Sequence, residues 1–112
     1  MQKPLQVKFF RTTTGHEPVR EWLRSLSRTD KKAIGEHIKT VQYGWPLGMP
    51  VVRKLARGLW EIRVPLNRRI ARIIFTLENN IILLLHGFIK KSQKIPTADL
   101  TTAKRRLAQL EN

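Results

Sequence analysis

The sequence contains no cysteine, which excludes disulfide bonds and thiol-based catalysis. It also lacks a long hydrophobic run: the longest, residues 81–85, has the length of a strand and not of a membrane span. The first five residues include no apolar segment like that of a secretory leader. We therefore expect a cytoplasmic protein with no membrane association.

Acidic residues are scarce, with 8 Asp and Glu against 22 Lys and Arg. The resulting formal net charge of +14 repels itself within one small domain and attracts polyanions. Nucleic acid is the leading candidate partner, because cations that neutralise phosphates release counterions. The alternative is a charged surface that serves only solubility, but such a surface would be expected to mix both signs.

The length and apolar content are those of one domain, covering residues 1–112. Alternating apolar and polar residues at 5–9 predict a first strand. Two helices follow as a hairpin. The first begins at Pro18, and the second is capped by Thr29 or Asp30 and ends at Gly44.

After residue 50 the apolar period changes from that of a helix to that of a strand. We predict strands at 51–55, 59–64, 69–77 and 80–88, joined by tight turns, and a last helix that begins at Thr97. The predicted fold class is α+β: an N-terminal strand, a helical hairpin, a curved antiparallel sheet and a C-terminal helix. We place the helices on one face of the sheet.

Basic residues are concentrated in this predicted sheet. Arg63 and Arg72 lie at positions of neighbouring strands that face the same side, and Lys90 and Lys91 follow the last strand closely enough to extend that surface. Ion pairs with Glu61 or Glu78 are the ordinary alternative, but acids are too few to pair every base. Between positions 53 and 72 the cations are Arg53, Lys54, Arg57, Arg63, Arg68, Arg69 and Arg72.

The three histidines lack the spacing of metal ligands, so no metal site is expected. His86 ends the predicted central strand beside the basic residues. Two roles stay open for it, a general acid or base and an ordinary histidine packed in the sheet. The sequence has no glycine-rich phosphate loop and no nucleophile motif.

Three segments, in this order, resemble the RelE/ParE superfamily of bacterial toxins and in particular its phage-derived HigB-like branch. They are KLARGLWEIR at 54–63, RIARIIF at 69–75 and HGFIKKSQKIP at 86–96, followed by a helix that contains Ala103. The resemblance covers nearly the whole chain. It implies a RelE-like fold and the toxin of a type II toxin–antitoxin system, neutralised by a partner antitoxin.

The resemblance further implies a ribosome-dependent endoribonuclease that cleaves mRNA without a metal or other cofactor. The sheet cations of RelE-like enzymes correspond to Arg63, Arg72 and Lys91, with Lys90 adjacent, and His86 is the candidate acid or base. Where a tyrosine is expected near the start of the last helix, this sequence has Thr97 or a neighbour. The cations expected to bind RNA are Arg53, Lys54, Arg57, Arg68, Arg69 and Lys94.

Two other functions fit the sequence. A ParE-like inhibitor of DNA gyrase would use the same fold without catalysis. A basic nucleic-acid-binding module would explain the charge but not the three segments. The grouping of Arg63, Arg72 and Lys91 on one predicted face favours the ribonuclease, because a gyrase inhibitor needs no such group.

Overall fold

The computed structural model describes residues 4–91 and 94–110. The α+β class and the predicted order of elements are confirmed. In chain order the elements are β1 (Gln6–Phe9), α1 (Pro18–Arg24), α2 (Arg28–Gly44), β2 (Val52–Ala56), β3 (Leu59–Leu66), β4 (Arg69–Glu78), β5 (Ile81–Lys90) and α3 (Thr97–Leu110). Among the residues described, no helix is both long and apolar enough to cross a membrane.

The strands form one sheet in the order β1-β5-β4-β3-β2. The antiparallel pairing predicted for β2 to β5 is confirmed, and the turns that join them contain positive-φ residues such as Gly58 and Asn79. β1 differs, because it lies parallel to β5, with Gln6 opposite Ile81. Alternation shows which side chains share a face, but it carries no information about the direction of the neighbouring strand.

α1 and α2 cover one face of the sheet. Their buried side chains Val19, Ile34 and Val41 pack on the face that Ile73 and Phe75 of β4 present. We refer to this as the hairpin face. The apolar stripes of the two helices predicted such a contact, and removal of these side chains from water is the main source of its stability.

A glycine in β5 allows α1 to approach the hairpin face closely. A Cβ atom at Gly87 would lie 2.3 Å from the Cζ3 atom of Trp22, a separation that real atoms do not tolerate. The indole of Trp22 therefore lies directly on the backbone of β5. Trp22 is thus packed against the apolar core of the hairpin face.

α3 covers the opposite face, which we refer to as the α3 face. Its buried Ala103 packs in a second apolar cluster with Ile74, Leu85 and Phe88 of the two central strands. The prediction that all helices lie on one face is therefore wrong. β4 and β5 carry buried apolar residues on both sides, and such strands need cover on both sides.

The second helix begins earlier than predicted. Its N-cap is Ser27, whose hydroxyl oxygen accepts a hydrogen bond from the backbone N–H of Asp30 at 3.1 Å. The prediction of Thr29 or Asp30 as the cap is wrong, since both residues are already helical. The carboxylate of Asp30 instead pairs with Arg69 of β4, which ties the start of α2 to the sheet.

Candidate functional site

Three arginines and one glutamate lie together on the α3 face. Arg53 of β2 is opposite Glu61 of β3, and Arg63 of β3 is opposite Arg72 of β4. Residues opposite each other in a sheet, and residues two apart in a strand, share a face. The alternation of the sequence predicted this shared face for Arg63 and Arg72. We call Arg53, Glu61, Arg63 and Arg72 the arginine cluster.

Glu61 is the only acid of the cluster, and its side chain is fully buried. Its Oε1 atom lies 2.9 Å from the Nε atom of Arg53, whose side chain is 35% exposed. Arg53, which the sequence did not indicate as a partner, is therefore in a close ion pair with Glu61. A buried carboxylate requires such compensation, because transfer from water to the protein interior strongly disfavours the charged form.

Arg72 is also fully buried, between Arg63 of β3 and Phe88 of β5, its two neighbours across the sheet. Burial lowers the pKa of Arg72. The charge of Glu61 acts in the opposite direction, and the charges of Arg63 and Arg53 lower the pKa further. Arginine nevertheless stays protonated in proteins. Arg72 therefore does not lie on an open surface of the sheet, although it shares a face with the half-buried Arg63.

Lys90 and Lys91 lie near the cluster at the end of β5. The strand was predicted to end at residue 88, whereas β5 includes Lys90 as its last residue. Lys90 is opposite Ile70 and lies on the same face as Arg72. Lys91 follows directly. Both lysines are exposed, as is Lys94 in the segment that leads to α3. The end of β5 therefore extends the positive surface of the cluster.

His86 lies on the α3 face, where two side chains of α3 contact its ring. Its Nε2 atom lies 2.6 Å from Oδ1 of Asp99, and its Nδ1 atom lies 3.4 Å from Nη1 of Arg106. The same Nη1 donates a hydrogen bond to the carbonyl of Leu85 at 2.6 Å. The ring also stacks on Phe88, with centroids 5.7 Å apart. Both ring nitrogens thus face protein side chains, which favours the packed histidine among the two roles left open.

The sequence analysis did not identify Asp99 and Arg106 as contacts of His86. A signal was present, because residues seven apart lie on the same side of a helix, and this side is the one that carries Ala103. Burial lowers the pKa of Arg106, with a further contribution from Arg105. Both side chains are half-buried, and His86 contacts both of them.

Two of the residues expected to bind RNA lie on the face opposite the arginine cluster. Lys54 is opposite Trp60, with its Nζ atom 5.6 Å from the centre of the indole ring, on the hairpin face. Arg69 makes two hydrogen bonds to Asp30 of α2, at 3.1 and 3.2 Å. Arg69 therefore holds the fold together at that position.

Two other expected RNA-binding residues lie in turns. Arg57 is in the turn between β2 and β3, and Arg68, with a φ of 57°, is in the turn between β3 and β4. Both are exposed, but neither belongs to the arginine cluster.

Tyr43, the single tyrosine of the chain, is remote from the cluster. It is 64% exposed near the end of α2, a helix that covers the hairpin face, so it cannot stack on a base bound at the arginine cluster. Thr97 begins α3 where the resemblance predicts a tyrosine. Within 4–91 and 94–110, no group of three His, Asp or Glu side chains is arranged to hold a metal ion.

A comparison with known protein families shows which family the chain matches. The family model described as phage derived protein Gp49-like (DUF891) matches residues 21–108. The matched range contains α2, the strands β2 to β5 and most of α3, and thus the whole arginine cluster together with His86 and Asp99. A comparison with curated proteins found no significant match.

Proposed function

Because the chain belongs to the family of phage-derived Gp49-like proteins, which is part of the RelE/ParE-like toxin family, we propose that it is the toxin of a type II toxin–antitoxin system. We place it in the HigB-like branch, as a cytoplasmic, ribosome-dependent endoribonuclease that cleaves mRNA and so stops translation. The observation that carries this proposal is Arg63 opposite Arg72, with Arg53 on the same face. A fold alone would not require three cations side by side.

The proposed reaction is an internal transesterification of RNA. The 2′ oxygen of one ribose forms a bond to the adjacent phosphorus, and the bond from phosphorus to the 5′ oxygen of the next nucleotide breaks. The 2′ hydroxyl loses a proton and the departing 5′ oxygen gains one, which leaves a 2′,3′-cyclic phosphate and a 5′ hydroxyl. Negative charge builds up around the phosphate on the way, and positioned cations stabilise it.

The exposure of the three arginines suggests different roles. Arg63 and Arg53 are half-buried and reach solvent, so they are the residues that we expect to touch the phosphate oxygens. Arg72 lies behind them and contributes its fixed positive charge, and it holds the site in shape. Arginines on strands are held more firmly than arginines on loops, which keeps the charges in place before the reaction begins.

Lys90 and Lys91 would contact the phosphates that flank the cleaved bond, since both are exposed at the end of β5. Arg57, Arg68 and Lys94 remain candidates for contacts further along the RNA or the ribosome. His86 is engaged by Asp99 and Arg106, so we assign proton transfer to groups of the ribosome or to water, and we assign no cofactor.

The charge of the chain also suggests its partners. A protein with a net charge of +14 binds ribosomal RNA through phosphate contacts and is neutralised efficiently by an antitoxin that presents acidic residues to the same surface. We propose that the antitoxin is encoded next to this protein and covers part of the α3 face.

Mapping of transcript ends after brief induction in bacterial cells tests the proposed function. We expect discrete cuts inside translated frames within minutes, and rescue of growth when the neighbouring gene is expressed as well. Intact transcripts together with gyrase-dependent breaks in DNA would show instead a ParE-like inhibitor on the same fold. Growth arrest with neither lesion would leave only the plain nucleic-acid-binding function.

A further inference from the structure

We infer that Glu61 is a positioning residue of the proposed site, and that through it Arg53 becomes one of the phosphate-binding groups. The carboxylate is fully buried in the middle of β3 and lies 2.9 Å from Nε of Arg53. It also acts on Arg72, whose pKa it raises against the effect of burial. One acid therefore acts on two arginines of the cluster at the same time.

The arginine cluster holds like charges close together, which is unfavourable for the folded protein. Arg63 and Arg53 both lower the pKa of Arg72, so each lies close enough to Arg72 to disfavour its charged form. Like charges opposite each other in a sheet are destabilising. A buried ion pair adds little net stability compared with apolar residues of similar size. Stability therefore does not explain why the chain places three arginines and a buried glutamate here.

A site for an anion does explain it. Glu61 offsets part of the repulsion among the three arginines and holds the Nε edge of Arg53 close to its carboxylate. With three arginines and one glutamate, the cluster still has a net positive charge that can attract an anionic ligand. The side chain of Arg53 is 35% exposed, so its terminal nitrogens can meet an anion while Nε stays beside the glutamate. Arginine suits this arrangement, because its planar guanidinium can contact a carboxylate and a phosphate with different edges.

The identity of the anion, a phosphodiester of RNA, rests on the proposed function, whereas the arrangement of Glu61 and Arg53 does not. We therefore choose two measurements that separate the two claims. One follows the reaction on the ribosome. The other follows the Arg53 side chain directly, in the presence of RNA that cannot be cleaved.

The first measurement is single-turnover cleavage of mRNA on programmed ribosomes by Glu61→Gln, together with its affinity for ribosomes. We expect a loss of roughly 10- to 100-fold in the cleavage rate constant, a conservative fraction of what loss of a charge-stabilising donor costs. Ribosome affinity should stay equal or rise, because the variant is more positive. A structural defect alone would lower both quantities together.

Glu78→Gln is the matched control. It removes the same charge from an exposed acid at the end of β4, about 20 Å along the strand from Arg72 at 3.3 Å per residue. We expect it to cleave at the parental rate. Glu61→Asp keeps the charge and should recover part of the lost rate. Folded Glu61→Gln that cleaves like the parent protein, or like Glu78→Gln, would overturn the inference.

The second measurement is NMR of the arginine Nε–H groups, with a 2′-O-methyl RNA hexanucleotide as the probe. In the parent protein we expect RNA to shift the Arg53 signal, and in Glu61→Gln we expect that shift to be lost. If Glu61→Gln does not fold, Glu61→Asp serves in its place and should reduce the shift. An Arg53 response to RNA that is equal in parent and variant would contradict the role of Glu61.

The two results distinguish the claims. If the parent protein fails to cleave mRNA but its Arg53 signal responds to RNA in a manner that depends on Glu61, the ribonuclease proposal fails and the positioning role stands. If the parent cleaves and Glu61→Gln changes neither rate nor signal, the positioning role fails and the ribonuclease proposal stands.

Discussion

Arg63 of β3 lies directly opposite Arg72 of β4, yet Arg72 is fully buried while Arg63 reaches solvent. The two arginines therefore make different contributions. Arg63 is placed to meet a ligand, and Arg72 is part of the packed interior of the α3 face. This difference separates effects on activity from effects on stability.

Arg63→Ala should abolish most of the activity and leave the fold intact. Removal of one donor from a preorganised charge-stabilising site costs ~10² to 10³ in rate. The side chain is half-buried at the surface of the sheet, so its loss should change stability little. Single-turnover cleavage on programmed ribosomes, with circular dichroism as the folding check, measures both effects.

The control for Arg63→Ala is Arg24→Ala, which removes the same charge from an exposed position at the end of α1. It should cleave at nearly the parental rate. Equal losses in the two variants would show that only generic electrostatics matters, and the cluster would lose its special role.

Arg72→Ala should destabilise the protein. The substitution empties a buried volume beside Phe88 and removes a cation close to the buried carboxylate of Glu61, and losses of this kind cost about 2–4 kcal/mol in free energy of unfolding. Urea denaturation of Arg72→Ala and Arg63→Ala measures the difference. A cost below that of Arg63→Ala would show that Arg72 is not part of the interior.

His86 is predicted to act through the fold. His86→Ala and Asp99→Ala should each lower the free energy of unfolding by about 1–2 kcal/mol, since each breaks the short contact between β5 and α3. The double variant should cost less than the sum of the two, because the residues share one interaction. Cleavage by the folded His86→Ala protein should keep the pH profile of the parent. Loss of one limb of that profile would instead make His86 the acid or base.

Gly87→Ala should destabilise the protein by about 1–3 kcal/mol, because the added methyl group overlaps the Trp22 ring and forces it away from β5. Gly35→Ala is the matched control. It lies inside α2 with no atom within 4 Å of the added methyl, so it should stabilise by about 0.5–1 kcal/mol. Thermal unfolding of the two variants should thus shift in opposite directions. Shifts of the same sign would mean that the contact with Trp22 does not determine how Gly87→Ala changes the thermal stability.

Features that depend on neighbours in the chain, such as the face of a strand residue or the presence of a helix, were predicted from local patterns. Alternation placed Arg63 and Arg72 on one face, and the apolar stripes predicted the helices. The cover of the α3 face comes from a helix that follows Arg72 by more than twenty residues and lies on the opposite face from the one expected. No period within a strand carries that information.

The partners within the site were harder to predict for the same reason. Alternation alone places Lys54 and its neighbour Arg53 on different faces, but the position of Lys54 over Trp60 depends on the pairing of β2 with β3. Arg69 is held by Asp30, a contact between α2 and β4. The contacts of His86 with Asp99 and Arg106 likewise connect β5 to α3. The sequence alone therefore could not decide between the two roles of the histidine.

The most direct test of the central claim is incubation of the purified protein with mRNA, once free and once on programmed ribosomes, followed by analysis of the RNA ends. We predict cuts on the ribosome at discrete positions, with 2′,3′-cyclic phosphate and 5′ hydroxyl ends. We predict no cuts in free mRNA and none with Arg63→Ala. Intact mRNA on ribosomes that demonstrably bind the folded parent protein would contradict the account.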